Sequence, residues 1–466
     1  MSLPGSLQLN AWTGEAVAQG ELDPAAAAWG SRPGLPKPQQ PVKFGPPVDP
    51  KNWRDPNVGY GVLLPDNDDP QLSPAAKAIG EDAPAPVRTL LAARPETVVL
   101  RWRPELPARF LRRYFPDGTV QDPVIGLSRF GVGKGQLPRY VAIIGGPGEI
   151  PWSVQYALGT QHAVGRIPLS DDGLGNYVEA MLSGWADADI DVQAALMWTV
   201  DHGGGDITAE MRAVIAAPLA AALTPPPLTR FGHLTDNAAT SARLLKELTA
   251  GRPGLLVTSS HGRTGPLDDA AAMRATLGLP VDLNHDTVSL DELDAAMPYG
   301  SVWFAQACSS AGGDNQSHYA GLLQKGTTAF GVVSAIAALG RSVAPAPLRL
   351  LGRKRPVRAV YGHVEPTFNW TLRVPETGQG LGHHIVAALS SNLYSQQPVG
   401  LTFADYRAGV GELHNQWAGL YQDLANGDTS VREALTRLRL TAFDRQSLVL
   451  LGDPTVTMPP LRAGAT

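Results

Sequence analysis

One histidine and the single cysteine of the chain stand at the ends of two similar segments. His261 follows the run GLLVTSS, and Cys308 follows the run SVWFAQA. In an open parallel α/β sheet, ligands bind in the crevice beyond the carboxyl ends of the strands. If the two runs are neighbouring strands, the imidazole and the thiol face each other across that crevice. A thiol within reach of an imidazole can act as a nucleophile, so the pattern predicts covalent catalysis by cysteine.

The composition describes a chain large enough to build such a sheet. It has 466 residues, of which 43% are hydrophobic and 17% charged, and this balance is typical of a globular protein. Lys and Arg number 38 against 43 Asp and Glu, which gives a net charge of −5. Because proteins that depend on phosphate contacts usually carry a basic excess, nucleic acid is not predicted as a partner.

A single cysteine excludes an intramolecular disulfide framework and a cysteine-based zinc site. The low cysteine content indicates a protein that resides in a reducing compartment. The first residues lack the basic patch and apolar core of a secretory signal, and the longest uncharged apolar stretch, residues 327–340, is shorter than the roughly 20 residues that span a bilayer. The sequence therefore predicts a cytoplasmic protein with no membrane partner.

The chain divides into three parts by composition. Residues 1–96 are dense in proline over their first half, so we expect extended chain with turns that packs on the core or serves as a linker or pro-segment. Residues 97–230 and 231–466 alternate short apolar runs with helical patterns, which predicts an α/β fold with two sheet-bearing halves and a mostly parallel sheet flanked by helices.

Individual elements follow from local signals. Capping residues predict a helix at 238–248, after Asp236, and a helix at 290–297, after Ser289. Glycines predict where two helices end: Gly251 follows the helix at 238–248, and Gly326 follows a further predicted helix at 315–325. A further helix is expected at 175–185. Strands are expected at 98–102, 140–144, 194–200, 254–258, 301–305, 329–333, 358–361 and 448–451.

The motifs around the two reactive residues resemble those of the caspase-fold cysteine peptidases. Gln306, Ala307 and Cys308 reproduce Q-A-C, and a His-Gly pair lies 47 residues upstream, close to the ~50 of the caspase pattern. The tail SSAGG is more similar to the CHAT and gingipain-like branches. Two further patterns are similar to the gingipain-like order, RYVAIIGGPGEIP with HAVGRIPLSDD at 139–172 and LVLLGDPTVTMP at 448–459.

This resemblance implies a caspase-haemoglobinase-like fold and a mechanism. Cys308 attacks a peptide carbonyl, His261 promotes the attack and protonates the leaving amine, and water resolves the thioester. The backbone N–H groups of Gly262 and Cys308 form the oxyanion hole, which explains a glycine after the histidine. No third acid, metal or cofactor is required, and the implied partner is a protein or peptide substrate.

The sequence gives weaker signals for substrate preference than for the two reactive residues. A pocket for a basic residue needs a carboxylate near the crevice. Arg263 would instead suit an acidic substrate residue, although an ordinary surface arginine is the more expected interpretation. In basic-specific gingipain-like enzymes the pocket acid comes from the first half, and the corresponding stretch here, residues 152–156, has no carboxylate. The candidate pocket carboxylates are Asp268, Asp269, Asp314 and Glu365. Each has the alternative interpretation of a helix cap, which for Asp314 is the more expected one.

Other chemistries fit the sequence less well. The loop DHGGGD at 201–206 offers metal-ligand types, yet a solvated turn after a strand is the simpler interpretation. GVGKG at 131–135 and GGPG at 145–148 depart from phosphate-binding spacing, and no G-x-S-x-G elbow occurs near His261.

The resulting hypothesis is a cysteine endopeptidase, with two alternatives left open. A catalytically silent caspase-fold module that binds a partner would retain the same fold, and an acyltransferase or ligase would use the same pair of residues. The N-terminal segment is expected to cover or support the cleft, so that activity depends on its displacement, on an activating partner or on self-processing.

Overall fold

The computed structural model describes residues 3–30, 48–224 and 228–461. Its elements alternate strands and helices along most of the chain. The strands are β1 (Ser6–Trp12), β2 (Val17–Glu21), β3 (Tyr60–Pro65), β4 (Val98–Trp102), β5 (Arg113–Tyr114), β6 (Val120–Gln121), β7 (Tyr140–Ile144), β8 (Ala163–Ile167), β9 (Asp191–Thr199), β10 (Arg230–Leu234), β11 (Pro253–Ser259), β12 (Gly262–Arg263), β13 (Val302–Gln306), β14 (Gly312–Gly313), β15 (Ser342–Val343), β16 (Ala359–His363) and β17 (Leu448–Leu451).

The helices range from one turn to 22 residues. They are α1 (Ala26–Gly30), α2 (Pro74–Ile79), α3 (Ala85–Ala93), α4 (Trp152–Gly159), α5 (Asp171–Leu182), α6 (Ile207–Met211), α7 (Ala217–Leu223), α8 (Ser241–Gly251), α9 (Ala270–Thr276), α10 (Leu290–Ala296), α11 (Thr328–Ala338), α12 (Pro345–Gly352), α13 (His383–Ser390), α14 (Val399–Thr402), α15 (Ala404–Ala425) and α16 (Arg432–Gln446). In the part of the chain that the structure describes, none of them is long and apolar enough to cross a membrane.

Ten strands form one central sheet in the order β10-β9-β11-β13-β16-β17-β8-β7-β3-β4. Neighbouring strands are parallel throughout, except that β16 and β17 run antiparallel. This seam divides the sheet into half-sheet A, containing β17, β8, β7, β3 and β4, and half-sheet B, containing β16, β13, β11, β9 and β10. The predicted α/β fold with a mostly parallel sheet flanked by helices is confirmed.

Both faces of half-sheet A are buried. Along β7, Tyr140, Ala142 and Ile144 pack into one apolar cluster, whereas Val141 and Ile143 pack into another. A strand covered on both faces needs apolar residues at every position, which explains why these strands appear in the sequence as uninterrupted apolar runs.

The N-terminal part is more ordered than the sequence analysis predicts. Strands β1 and β2 form an antiparallel hairpin, and β3 lies inside the central sheet between β7 and β4. The expectation of extended chain with turns is wrong for helices α1, α2 and α3, and it did not predict that residues 6–21 and 60–65 pair into regular strands. In β1 the alternation of Leu7, Leu9 and Ala11, all buried, supplies the apolar face that the proline-based argument overlooked. Prolines 33–47 lie outside the described residues.

Three other elements differ from expectation. The predicted strand at 329–333 is part of helix α11, which Thr327 caps by accepting a hydrogen bond from the Phe330 N–H group. A short apolar run does not by itself distinguish a strand from a buried helix. The predicted helix at 315–325 is absent, since those residues form turns. Helix α8 begins after Thr240 rather than near Asp236.

Candidate functional site

Strands β11 and β13 are direct neighbours in half-sheet B. Their parallel register pairs Thr258 with Ala305 and Ser259 with Gln306. His261 and Cys308 each follow two residues after the last of these pairs. The condition set by the sequence, that the two runs are neighbouring strands, holds, and both residues leave the sheet at the same level of the same end.

The backbone on either side of the crevice is in close contact at Gly262. A Cβ atom added at this position would overlap the carbonyl oxygen of Cys308 and lie 3.0 Å from the Cys308 backbone nitrogen. Only glycine fits between the two chains here. The backbone segments of Gly262 and Cys308, whose N–H groups form the predicted oxyanion hole, are therefore adjacent.

The His261 ring is held by a carboxylate. Its Nε2 atom lies 3.0 Å from Oδ2 of Asp206, and both side chains are largely buried. Burial opposes ionisation of the carboxyl group, but the hydrogen bond and charge of His261 outweigh it and hold the pKa of Asp206 below its usual value. The other ring nitrogen, Nδ1, is buried and has no hydrogen-bond partner among the described residues.

Asp206 is the site residue that the sequence analysis missed. It ends the DHGGGD loop and caps α6 by accepting a hydrogen bond from the Thr208 N–H group at 2.8 Å. The solvated-turn interpretation is wrong for this residue, because one of its oxygens caps the helix while the other faces His261. The cap could be recognised locally, but its partner lies 55 residues further along the chain.

A stack of rings extends from His261 to strand β1. His202 lies parallel to His261, with ring centroids 5.5 Å apart, and His285 stacks on its other side at 4.1 Å. Trp12 of β1 packs on His285 at 4.0 Å. Burial, together with the two neighbouring histidines, lowers the pKa of His202 to about 4, so this ring is neutral at physiological pH.

Cys308 is fully buried beneath strand β1. Its Sγ atom accepts a hydrogen bond from the Thr367 N–H group at 3.4 Å. Burial raises the pKa of the thiol well above its ordinary value. Since Nδ1 of His261 has no partner among the described residues, the bond between thiol and imidazole is not formed and the thiol is neutral in this state.

Strand β1 lies across the crevice. Its backbone pairs in parallel with β12, where Ala11 stands opposite Gly262 and Trp12 opposite Arg263. The Cys308 N–H group donates to the carbonyl oxygen of Asn10 at 3.1 Å. Strand β1 therefore hydrogen-bonds both to the segment that follows His261 and to the backbone of Cys308.

The acids suggested for a substrate pocket have other contacts. Asp268 is exposed, and Asp269 caps α9. Asp314 forms an ion pair with Arg341 at 3.1 Å. Glu365 faces His318 at 3.4 Å.

Arg263 is turned toward its own loop. Its Nε–H group donates to the carbonyl of Gly265 at 3.2 Å, and burial lowers the pKa of its guanidinium. Within residues 3–30, 48–224 and 228–461, no group of three or more His, Cys, Asp or Glu side chains is arranged to hold a metal ion.

Comparison with known proteins was informative only at the level of three-dimensional structure. No protein-family model matches this chain, and no curated protein matches its sequence. The chain is similar to the crystal structure of the Arg-specific cysteine proteinase gingipain R, with 12% identity, a TM-score of 0.43, and coverage of 87% of this chain and 80% of that one.

Two other solved structures show comparable or weaker similarity. A structure described only as a protease has 10% identity and a TM-score of 0.46, and covers 86% of this chain and 78% of its own. The separase–securin complex of Saccharomyces cerevisiae has 11% identity and a TM-score of 0.32, with 72% of this chain and 16% of that one covered. At these identities, roles in the site rest on the geometry of this chain itself.

Proposed function

We propose that this protein is a cysteine endopeptidase in which Cys308 is the nucleophile and His261 the acid and base. The observation that carries the proposal is the meeting of three features at one sheet edge. These are a cysteine and a histidine in equal register, a glycine that admits close backbone contact, and a buried carboxylate on the far side of the histidine ring.

The hydrogen bond to Asp206 assigns the tautomer of His261. With the proton on Nε2 donated to the carboxylate, Nδ1 carries a lone pair and faces the crevice as a base. It accepts the thiol proton as Sγ bonds to the peptide carbonyl carbon. When the C–N bond breaks, the same proton passes to the leaving amine, and a thioester remains on Cys308.

The two backbone N–H groups account for charge stabilisation. As the Cys308 Sγ atom bonds to the carbonyl carbon, negative charge develops on the carbonyl oxygen. The N–H groups of Gly262 and Cys308 donate hydrogen bonds to this oxygen. Water activated by His261 then hydrolyses the thioester and restores the thiol.

Three further expectations from the sequence remain predictions. These are the resemblance to the CHAT branch, the division of the chain at residues 97 and 231, and the cytoplasmic location.

One observation favours the second candidate, a catalytically silent binding module. The thiol is buried, neutral and bonded to Thr367 rather than to His261. If this arrangement is permanent, the crevice serves only to hold strand β1.

Cleavage profiling decides between these candidates. The chain, its Cys308→Ala variant and a Leu7→Ser/Leu9→Ser variant that weakens the packing of β1 are incubated with a diverse peptide library. We expect cysteine-dependent cuts, stronger in the β1 variant. If the thiol of the β1 variant reacts readily with iodoacetamide and yet no peptide is cut, the endopeptidase proposal is wrong.

A further inference from the structure

The residues of β1 before Asn10 pair with the segment that follows β16. The Asn10 N–H group donates to the carbonyl of Thr367 at 3.1 Å, and Leu9 forms an antiparallel bridge with Phe368. The Gln8 N–H group donates to Oδ1 of Asn369 at 3.4 Å. Strand β1 therefore lies in the crevice as an extended segment added to the residues after β16. Addition of an extended strand in this way is a general mode of peptide recognition.

After Asn10 the pairing passes to the other wall. The Thr264 N–H group donates to the carbonyl of Trp12 at 2.9 Å. Hydrogen bonds in a parallel ladder recur every two residues, so the same register directs the Gly262 N–H group at the carbonyl of Asn10. The Cys308 N–H group donates to that same oxygen at 3.1 Å. The carbonyl of Asn10 therefore lies between the two donors of the proposed oxyanion hole.

We propose that β1 occupies the groove in the register of a substrate, and that this groove recognises asparagine at the residue whose carbonyl is attacked. The inference rests on the proposed function, since it names the substrate class of that same site. In this register the bond presented to the thiol joins Asn10 to Ala11, and Leu9 fills the preceding position.

The surroundings of the Asn10 side chain favour an uncharged amide. The side chain is fully buried, and its Nδ2–H group donates to the carbonyl of Gln306 at 3.3 Å. Oδ1 of Asn10 and Oε1 of Gln306 have no hydrogen-bond partner among the described residues. A charged group at this position would lose its hydration. Asp314 and Glu365 are already paired with Arg341 and His318, and the cavity that Gln306 and Thr367 line also contains Arg445 and Asp444, whose pKa burial raises to about 7.

The test measures binding rather than turnover. The full chain carrying Leu7→Ser, Leu9→Ser and Cys308→Ala is titrated with a fluorescent peptide of sequence SLQLNAWTG, and with the same peptide bearing Lys or Asp in place of Asn. We expect the Asn peptide to bind at least tenfold more tightly than either. A chain with intact leucines and Gln19→Ser, an exposed change on β2, is expected to bind none of them.

Equal binding of the three peptides, or no binding by a folded β1 variant, would overturn the inference. Circular dichroism reports folding, and if the double-serine chain is unfolded, Trp12→Ala replaces it, since Trp12 holds β1 through its contact with His285. Cleavage by the Cys308-containing chain separates the two proposals. Tight binding of an Asn peptide that is never cut supports the recognition of asparagine but contradicts the peptidase activity. Efficient cleavage that occurs only after residues other than asparagine supports the peptidase activity but contradicts the recognition of asparagine.

Discussion

Oδ2 of Asp206 lies 3.0 Å from Nε2 of His261, on the side of the ring opposite to the free nitrogen Nδ1. A carboxylate in this position fixes which nitrogen carries the proton and stabilises the imidazolium formed during reaction. The crevice therefore contains a cysteine, a histidine and an acid, although the motifs in the sequence indicated only the first two.

Replacement of Asp206 by asparagine is expected to lower kcat by about 100-fold or more with little change in KM. The amide cannot hold the imidazole in the required tautomer or stabilise its charged form. Steady-state kinetics on a cleaved peptide measure the effect. Asp428→Asn, another aspartate that caps a helical turn, controls for the cap. An equal loss in both variants, or a rise in KM alone, would contradict the assigned role.

Replacement of Gly262 by alanine is expected to abolish turnover and to destabilise the fold by about 2 kcal/mol. The added methyl group overlaps the Cys308 carbonyl, so the two backbone segments must move apart. Gly146→Ala provides the control, because a Cβ at that position meets nothing within 4 Å. Chemical denaturation and peptide cleavage report the two effects. Unchanged activity in the Gly262 variant would exclude the proposed oxyanion hole.

The thiol of the intact chain is expected to react slowly. Cys308 is buried, and its raised pKa leaves little thiolate at pH 8. Alkylation by iodoacetamide, followed by intact mass, is expected to be at least tenfold slower than that of free cysteine. Leu7→Ser/Leu9→Ser accelerates the reaction by removing apolar contacts worth about 3 kcal/mol each. A fast reaction in the unmodified chain would show that β1 does not cover the thiol.

A buried carboxyl near the crevice predicts a pH dependence of stability. Burial raises the pKa of Asp444 from its ordinary 3.8 to about 7, against the opposing hydrogen bond from Thr371. Between pH 3.8 and about pH 7 the Asp444 carboxyl binds its proton more tightly in the folded state than in the unfolded state. The protonated carboxyl therefore stabilises the folded state fully below about pH 4, and this stabilisation is lost as the pH rises toward 7.

Thermal unfolding of an Asp444→Asn variant tests this linkage. Asparagine keeps an acceptor for Thr371 but does not ionise. We expect the Tm of the variant relative to the unmodified chain to increase from pH 4 to pH 7 and to remain constant above pH 7. Asp423→Asn, an exposed change of the same type on α15, is the matched control. A flat difference for Asp444→Asn as well would show that its carboxyl titrates normally.

The sequence predicted the positions of His261 and Cys308 because each follows an apolar run, and such runs mark strands buried on both faces. It predicted their adjacency only conditionally, since strand order depends on contacts between distant segments. Asp206 was missed for a related reason. Its helix cap is a local signal, but its contact with His261 is made by the fold, across 55 residues.

Strand β1 carries its own strand signal in the alternation of Leu7, Leu9 and Ala11, which the proline-based argument overlooked. Its place in the fold could not be predicted, because besides β2 it pairs with β12, a strand of two residues, and with the turn after β16, and neither has the length or alternation of a recognisable strand. The error at α11 has another origin. Its buried residues Ala329, Val332, Val333 and Ile336 follow helical spacing, but the first five residues alone are equally compatible with a strand.

The antiparallel seam between β16 and β17 also constrains the order in which the molecule can assemble. Half-sheet A and half-sheet B have their other strands in place by residue 363, but β17, which pairs with β16 on one side and β8 on the other, comes only at residues 448–451. A chain emerging from the ribosome must therefore keep the edges of β8 and β16 apart from other strands for some 85 residues of synthesis. Two exposed sheet edges during this interval make the nascent chain vulnerable to mispairing, and the closing of the seam by β17 removes both at once.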